Sequence, residues 1–331
     1  MDKLTLPRLG LGCAPLGELF TRLSEDQAKA TLEQAWDAGI RYFDTSPFYG
    51  HGKSEHRVGA FLRNHDRSQF IVSTKVGRVY EATNDPNFDP APWSGGLPFQ
   101  PEFDYSYDGI MRSWEDSLQR LGLSRVDALL IHDLDPGFHD TENLDRSWRD
   151  LITSGFKALT ELRSSGAIRA VGAGINTMGL IPRFLGELDL DLFLVAMPYT
   201  LLDQNVLNEE FPLCQERDIG IVIGAVFASG ILVTGAIDGA RYAYQPAPQA
   251  IIKKTRKIES ICHEFSVPLP AAALQFPLAH PQVVSVIPGA LAPEHIDTHT
   301  VNLAHPIPVE FWTKLKGEGL MHANAPVPVR R

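Results

Sequence analysis

Cysteine is scarce in this chain. Cys13, Cys214 and Cys262 stand far apart with no CxxC spacing, an odd count that excludes a complete disulfide framework and fits a reducing, cytoplasmic setting. Cys13, near the end of a predicted strand, reads as a packing residue rather than a reactive thiol. Clustered positive charge is lacking as well: 30 Lys and Arg face 40 Asp and Glu, for a formal net charge of −10. That balance excludes nucleic acid and anionic membrane as expected partners. No apolar run approaches the ~18 residues of a membrane span, and the opening Met1-Asp-Lys-Leu-Thr5 has no basic-then-apolar leader pattern. Neither membrane insertion nor secretion is therefore expected. No Pro/Ser-rich linker divides the chain, so residues 1–331 are read as one domain. The composition leaves the oligomeric state open.

What the chain does contain is an alternation. Hydrophobic residues make up 44% and charged residues 21%, an ordinary globular balance. Short apolar runs predict strands at 9–13, 42–45, 70–76, 128–133, 170–174, 192–197, 219–225 and 283–288. Amphipathic spacing predicts helices at 24–38, 54–63, 107–121, 155–165, 180–188, 208–217, 251–265, 269–279 and 294–301. Ser24-Glu-Asp-Gln27 is a capping-box start and Gly39 a matching stop. Repeated β-then-α units imply parallel strands with right-handed crossovers, and eight of them predict a closed (β/α)8 TIM barrel. Two segments, 80–104 and 134–148, are too long for mere connectors and are expected to wall a substrate pocket.

Four residues carry the chemistry. Asp44, Lys75 and His132 each end a predicted strand, and Tyr49 follows Asp44 by five positions. In a parallel barrel such positions converge on one mouth. A free phenol, with a pKa of about 10, is ~3 units too high for a base at neutral pH, and a neighbouring ammonium is the direct way to lower it. A carboxylate beside that ammonium balances its charge, and a nearby imidazole can hydrogen-bond a carbonyl or hydroxyl oxygen. A dinucleotide-binding G-x-G-x-x-G is excluded because Gly172-x-Gly174 is followed by Thr177 where the third glycine belongs. A zinc hydrolase is excluded because His263-Glu264 has no second histidine four positions on, and no metal is expected.

The motif Asp44-Thr-Ser-Pro-Phe-Tyr49-Gly-His-Gly-Lys-Ser-Glu55, followed by Phe70-Ile-Val-Ser-Thr-Lys75, Leu130-Ile-His132 and Val286-Ile-Pro-Gly289, resembles the aldo-keto reductase superfamily in register. The resemblance implies Tyr49 as general acid/base, Lys75 as the cation that lowers its pKa, Asp44 as the partner of Lys75, and His132 as the group that orients the substrate oxygen. None of these carries hydride, so it implies a nicotinamide cofactor. By the same resemblance Asn176 holds the carboxamide. The segment Ala228-Ser-Gly-Ile-Leu232 matches, giving Phe227, Ser229, Gly230 and Leu232 as cofactor residues, with Pro288, Gly289, Ala290 and His295 at the adenosine end. The chain departs from the family at Ile175, at Gly224 where a stacking tyrosine is usual, and at Val195-Ala-Met-Pro-Tyr199, where a glutamine is expected.

Family members that bind NADP place Lys and Arg where this chain has Gly289 and His295. Each missing charge-assisted contact to a 2′-phosphate is worth roughly 1.5–3 kcal/mol, so the expected cofactor is NAD, working in the oxidising direction. The Asn176 turn with Phe227-Ala-Ser-Gly-Ile-Leu232 is similar to the branch of aldose 1-dehydrogenases and pyridoxal 4-dehydrogenase. The implied reaction is oxidation of the anomeric hydroxyl of a cyclic hemiacetal, an aldose first and pyridoxal second, to a lactone. Aldehyde reduction and a cofactor-binding regulatory subunit are the alternatives. Phe20, Phe48, Trp93, Phe99 and Tyr105 are expected as aromatic walls, and Asp133, with Asp135 and His139, as polar partners of the substrate.

Overall fold

The structure, a computed structural model, describes residues 4–328. Strands Leu11–Gly12, Tyr42–Asp44, Ile71–Val76, Ala128–His132, Ala170–Ile175, Leu192–Ala196, Gly220–Gly224 and Val283–Val286 lie side by side in chain order, all parallel. The last strand returns to the first. Gly10 and Gly12 N–H groups donate to the Val286 and Pro288 carbonyls at 2.9 and 3.1 Å, and Val286 N–H donates to Arg8 at 2.9 Å. The sheet is thus closed into the expected barrel, with helices outside. Tyr42, Leu130, Leu192, Leu194 and Val222 fill its interior, and a larger apolar layer packs between strands and helices.

Register explains why distant residues converge. Asp44 pairs with Ser73, Lys75 with Leu130, and His132 with Gly174. Alternate residues of a strand share a face, so Ser73 and Lys75 point the same way, as do Leu130 and His132. Each strand is therefore stepped two residues past its neighbour, and Asp44, Lys75, His132 and Asn176 climb around one rim. Local chemistry supports the frame. Ser24 and Gln27 form the reciprocal cap of helix Glu25–Asp37 at 3.1 and 3.2 Å. Buried Glu55 on helix Lys53–Leu62 accepts from Thr74 at 2.6 Å and Arg120 at 2.5 Å, joining that helix to its neighbours.

The differences from expectation lie in the long segments. Residues 80–104 are not an irregular loop throughout: Arg78–Ala82 and Phe99–Phe103 form an antiparallel hairpin. Within 134–148 a helix, Thr141–Asp150, starts on an Asp140 cap and runs through a π-turn, Leu151–Gly155, into helix Phe156–Ser164. A second hairpin, Arg241–Tyr242 with Gln245–Pro246, and a helix, Val309–Gly317, were not expected. Among the described residues no helix is long and apolar enough to cross a membrane.

Candidate active site

Asp44 and Lys75 are each 1% exposed, with the ammonium 2.6 and 2.7 Å from the two carboxylate oxygens. The same nitrogen donates to the Thr45 carbonyl at 2.8 Å, and Ser73 donates to Asp44 at 2.6 Å. Three acceptors thus match the three protons of Lys75. Tyr49 stands above this pair, its ring centre 5.7 Å from the Lys75 nitrogen. Its place is set by Gly17: a Cβ there would lie 2.4 Å from the Tyr49 carbonyl carbon, so only glycine lets the first loop close against it. His132 faces Tyr49 edge-on at 6.1 Å between ring centres.

Electrostatics amend one expectation. Burial, followed by the Asp44 charge, pushes the Tyr49 phenol well above its ordinary range. The expectation that Lys75 lowers it is not met in the protein alone, because the ammonium's donors are directed at Asp44 and Thr45 rather than at the phenol. His132 moves the other way: burial, then the Arg78 and Lys75 charges, hold it well below the usual imidazole range. It is a neutral hydrogen-bonding group. Cys13 is fully buried, and burial pushes its thiol up, which fits the packing role.

The aromatic wall is partly as expected. Trp93 is buried and meets Phe48 edge-on at 5.2 Å and Tyr49 at 5.5 Å. Phe20 is 37% exposed and lies under the Arg241 guanidinium at 4.5 Å, in contact with the second hairpin. The polar partners need correction. Asp133 is buried and paired with Arg78 at 2.7 Å, and Asn176 approaches its other oxygen at 3.5 Å. Asp135 accepts from Thr177 and from the Gly137 amide, both at 2.8 Å. His139 lies 3.3 Å from the Tyr105 hydroxyl and 3.0 Å from the Asp133 carbonyl. Asp133 and His139 are thus engaged with the protein itself, while the second oxygen of Asp135, Oδ2, is buried without a partner.

Apart from Asn176, just past the fifth strand, the residues expected around a dinucleotide lie at the seventh and eighth strand ends. Ala228, Ser229 and Gly230 are successively left-handed, with φ of 49°, 62° and 103°. Two of its amides are engaged within the chain, Ala228 N–H donating to the Ala225 carbonyl at 2.7 Å and Gly230 N–H to the Phe227 carbonyl at 2.9 Å. Ser229 Oγ accepts from the Tyr244 amide at 2.9 Å, tying the second hairpin to that turn. Phe227 packs on His299 at 5.3 Å between ring centres, and His299 lies 3.0 Å from the Gly289 carbonyl while its buried Nδ1 has no partner. The residues present therefore fit a dinucleotide. Leu232 is fully buried in the core, and its N–H donates to the Phe227 carbonyl. Pro288 accepts from Gly12, Ala290 is buried, and His295 Nδ1 accepts from the Leu291 amide at 3.2 Å. Helix Pro293–Ala304 opens with Glu294 and His295 in its first turn and no Lys or Arg there.

Arg78 escaped the sequence reading. The signal was an arginine three positions past Lys75, itself at a predicted strand end. Tyr244 was missed too, whereas Tyr105 was expected only as a pocket wall. Tyr105 donates to the His132 carbonyl at 2.7 Å, and Tyr244 is close enough for its phenol to act electrostatically on Tyr49.

Comparison with known proteins agrees with this geometry. The aldo/keto reductase family profile matches residues 8–317. The chain is 44% identical to pyridoxal 4-dehydrogenase of Microbacterium luteolum, covering 96% of this chain and 95% of that one. It is 41% identical to a D-threo-aldose 1-dehydrogenase of a Pseudomonas species, covering 94% of each. An aldo-keto reductase of Bacillus halodurans, solved in its holo form, superposes with a TM-score of 0.73 at 25% identity, over 97% of this chain and 94% of that one.

Proposed function

The chain belongs to the aldo/keto reductase family, and from that premise we propose that it is an NAD-dependent dehydrogenase that oxidises the hemiacetal carbon of a cyclic substrate to a lactone. The observation that carries the proposal is the buried Asp44–Lys75 pair beneath Tyr49 with neutral His132 alongside, in a chain 44% and 41% identical to enzymes named for pyridoxal and D-threo-aldoses. Both substrates exist as ring hemiacetals, so one proton-transfer site serves either.

Tyr49 takes the hemiacetal hydroxyl proton as the C–H bond gives up a hydride, and it returns a proton in the reverse direction. His132, neutral, hydrogen-bonds the same oxygen and fixes its distance from Tyr49. Lys75 and Asp44 form the rigid floor that keeps water from the phenol's inner side. When bound, an oxidised nicotinamide supplies the hydride acceptor and a ring cation. Asn176 would hold its carboxamide, the 228–230 turn its pyrophosphate, and the residues around Gly289 and His295 its adenosine end. The preference for NAD is supported by Glu294 in the first turn of the adjoining helix, where a carboxylate would repel a 2′-phosphate.

The aldose reading draws on ring chemistry, but its expected polar partner Asp133 is engaged by Arg78. The pyridoxal reading is favoured by the edge-on Phe48–Trp93 wall, which suits a flat ring. Initial rates at 340 nm with NAD or NADP against L-fucose, D-arabinose, L- and D-galactose and pyridoxal separate them. NAD reduction with one of these substrates supports the proposal and names its class. No turnover with any of them, or a preference for NADP, refutes it.

A further inference from the structure

Arg78 opens the hairpin that follows the third barrel strand and is 4% exposed. Gly77, at φ 104°, turns the chain so that this side chain points back over the mouth. Its guanidinium is clamped between the Phe48 and Phe103 rings at 4.2 and 4.3 Å, with Phe138 at 5.5 Å. One terminal nitrogen lies 3.1 Å from His132 Nδ1 and the other 2.7 Å from Asp133. The guanidinium has five donors and no acceptor, and it does not deprotonate in proteins. Toward His132 it can therefore only donate, and Nδ1 can only accept.

We propose that Arg78 is a positioning residue for the reaction: it locks His132 in the tautomer that carries its single proton on Nε2, so that this N–H is presented to the reacting oxygen. The inference rests on the reading of His132 as the group that orients that oxygen. Asp133 Oδ1 stands 3.6 Å from Nε2, beyond hydrogen-bond reach, so the N–H is left for a ligand. Ser46, 3.3 Å from Nδ1, serves the same nitrogen as Arg78. Tyr105, donating to the His132 carbonyl at 2.7 Å, steadies the residue from behind.

Asp133 has the complementary task. It balances a cation that could not otherwise be buried, and so keeps Arg78 at His132 rather than in solvent. The groups facing the imidazole are Arg78 and Lys75, both cationic, Asp133, and the phenols of Tyr49 and Tyr105. The two cations and burial together oppose a second proton on the ring, so His132 holds one protonation state throughout the working range.

The test is 15N NMR of the full chain with labelled histidine, the His132 signal being assigned by its loss in His132→Gln, together with rates across pH. In the natural protein His132 should show the Nε2–H pattern and no titration between pH 5 and 9. In Arg78→Met with Asp133→Asn, which removes both charges, it should show mixed tautomers and titrate, and kcat should fall about 10- to 100-fold with a new acid limb while KM changes little. Arg78→Lys keeps the charge but has no fork to reach both partners. It should keep the thermal stability yet release the tautomer in the same way. An Nδ1–H pattern in the natural protein, or an unchanged His132 spectrum in both variants, overturns the proposal. Unchanged turnover in His132→Gln refutes instead the reading of His132 on which the inference rests, and the NMR pattern tells the two failures apart.

Discussion

Replacing Asp44 by Asn should destabilise the protein more than almost any single polar change. Both members of the Asp44–Lys75 pair are 1% exposed, and the carboxylate meets the ammonium with both oxygens. The variant leaves the ammonium buried with the Thr45 carbonyl and a neutral amide. Breaking a buried pair by removing one partner costs about 3–5 kcal/mol. For 331 residues the unfolding entropy near the midpoint is about 0.7 kcal/mol per degree, so the melting temperature should fall by about 6 °C. Removing both charges in Asp44→Asn with Lys75→Met should recover most of that loss, because a nearly isosteric uncharged pair avoids the unpaired cation. Differential scanning fluorimetry of wild type, both single variants and the double variant gives the cycle. A loss below 1 °C for Asp44→Asn, or a double variant no more stable than it, would show that the pair is not the buried, mutually dependent unit described. Sodium chloride should change little in either case, since screening acts weakly on buried pairs.

Further outcomes are expected. Tyr49→Phe should lower turnover by about 10²- to 10⁴-fold while cofactor affinity, read by fluorescence titration, stays near normal. The raised Tyr49 pKa means that the phenolate fraction grows with pH, so oxidation should accelerate by up to about tenfold per pH unit between pH 7 and 9, and a flat profile would refute Tyr49 as the base. His295→Arg should improve NADP over NAD by about tenfold or more in kcat/KM. Gly289→Lys is the poorer test, since a Cβ there would sit 2.7 Å from the Pro15 ring. His280, buried beside Tyr199 and Phe211, has its pKa pushed down to about 4. The unfolded chain, at about 6.5, takes that proton first as pH falls, so stability is lost from pH 6.5 down to about 4. Between pH 7 and 5 this amounts to about 2 kcal/mol, and urea titrations of His280→Gln should show an acid loss smaller by that amount.

The eight barrel strands were legible because each is a short apolar run between turn formers, and all eight lie within a residue or two of their expected bounds. The hairpin Arg78–Ala82 with Phe99–Phe103 was hidden by the Pro- and Gly-rich stretch inside it, which reads as loop. Helix Thr141–Asp150 was hidden by its polarity, since only Leu144, Ser147 and Trp148 among its residues are buried. Asp44, Lys75 and His132 were legible as strand ends. The pairing of Arg78 with Asp133 was not, because their meeting depends on a turn at Gly77 and a left-handed Asp133, φ 53°, neither of which leaves a periodic trace. The direction of the Tyr49 shift was likewise out of reach, as it depends on burial and on where the Lys75 protons point.

Closure of the barrel has a consequence for synthesis. Asp44, Tyr49, Lys75 and His132 all come from the first 132 positions, whereas the turn at 228–230 and the strand that completes the ring, Val283–Val286, emerge much later. Contacts of such long sequence separation form slowly. A chain still on the ribosome therefore has Asp44, Tyr49, Lys75 and His132 made well before the left-handed turn at 228–230, and its first strand waits with an open edge until residues 286–289 arrive to seal it. Any fragment ending before them exposes that edge to other chains, so premature termination should yield aggregates rather than a partly active enzyme.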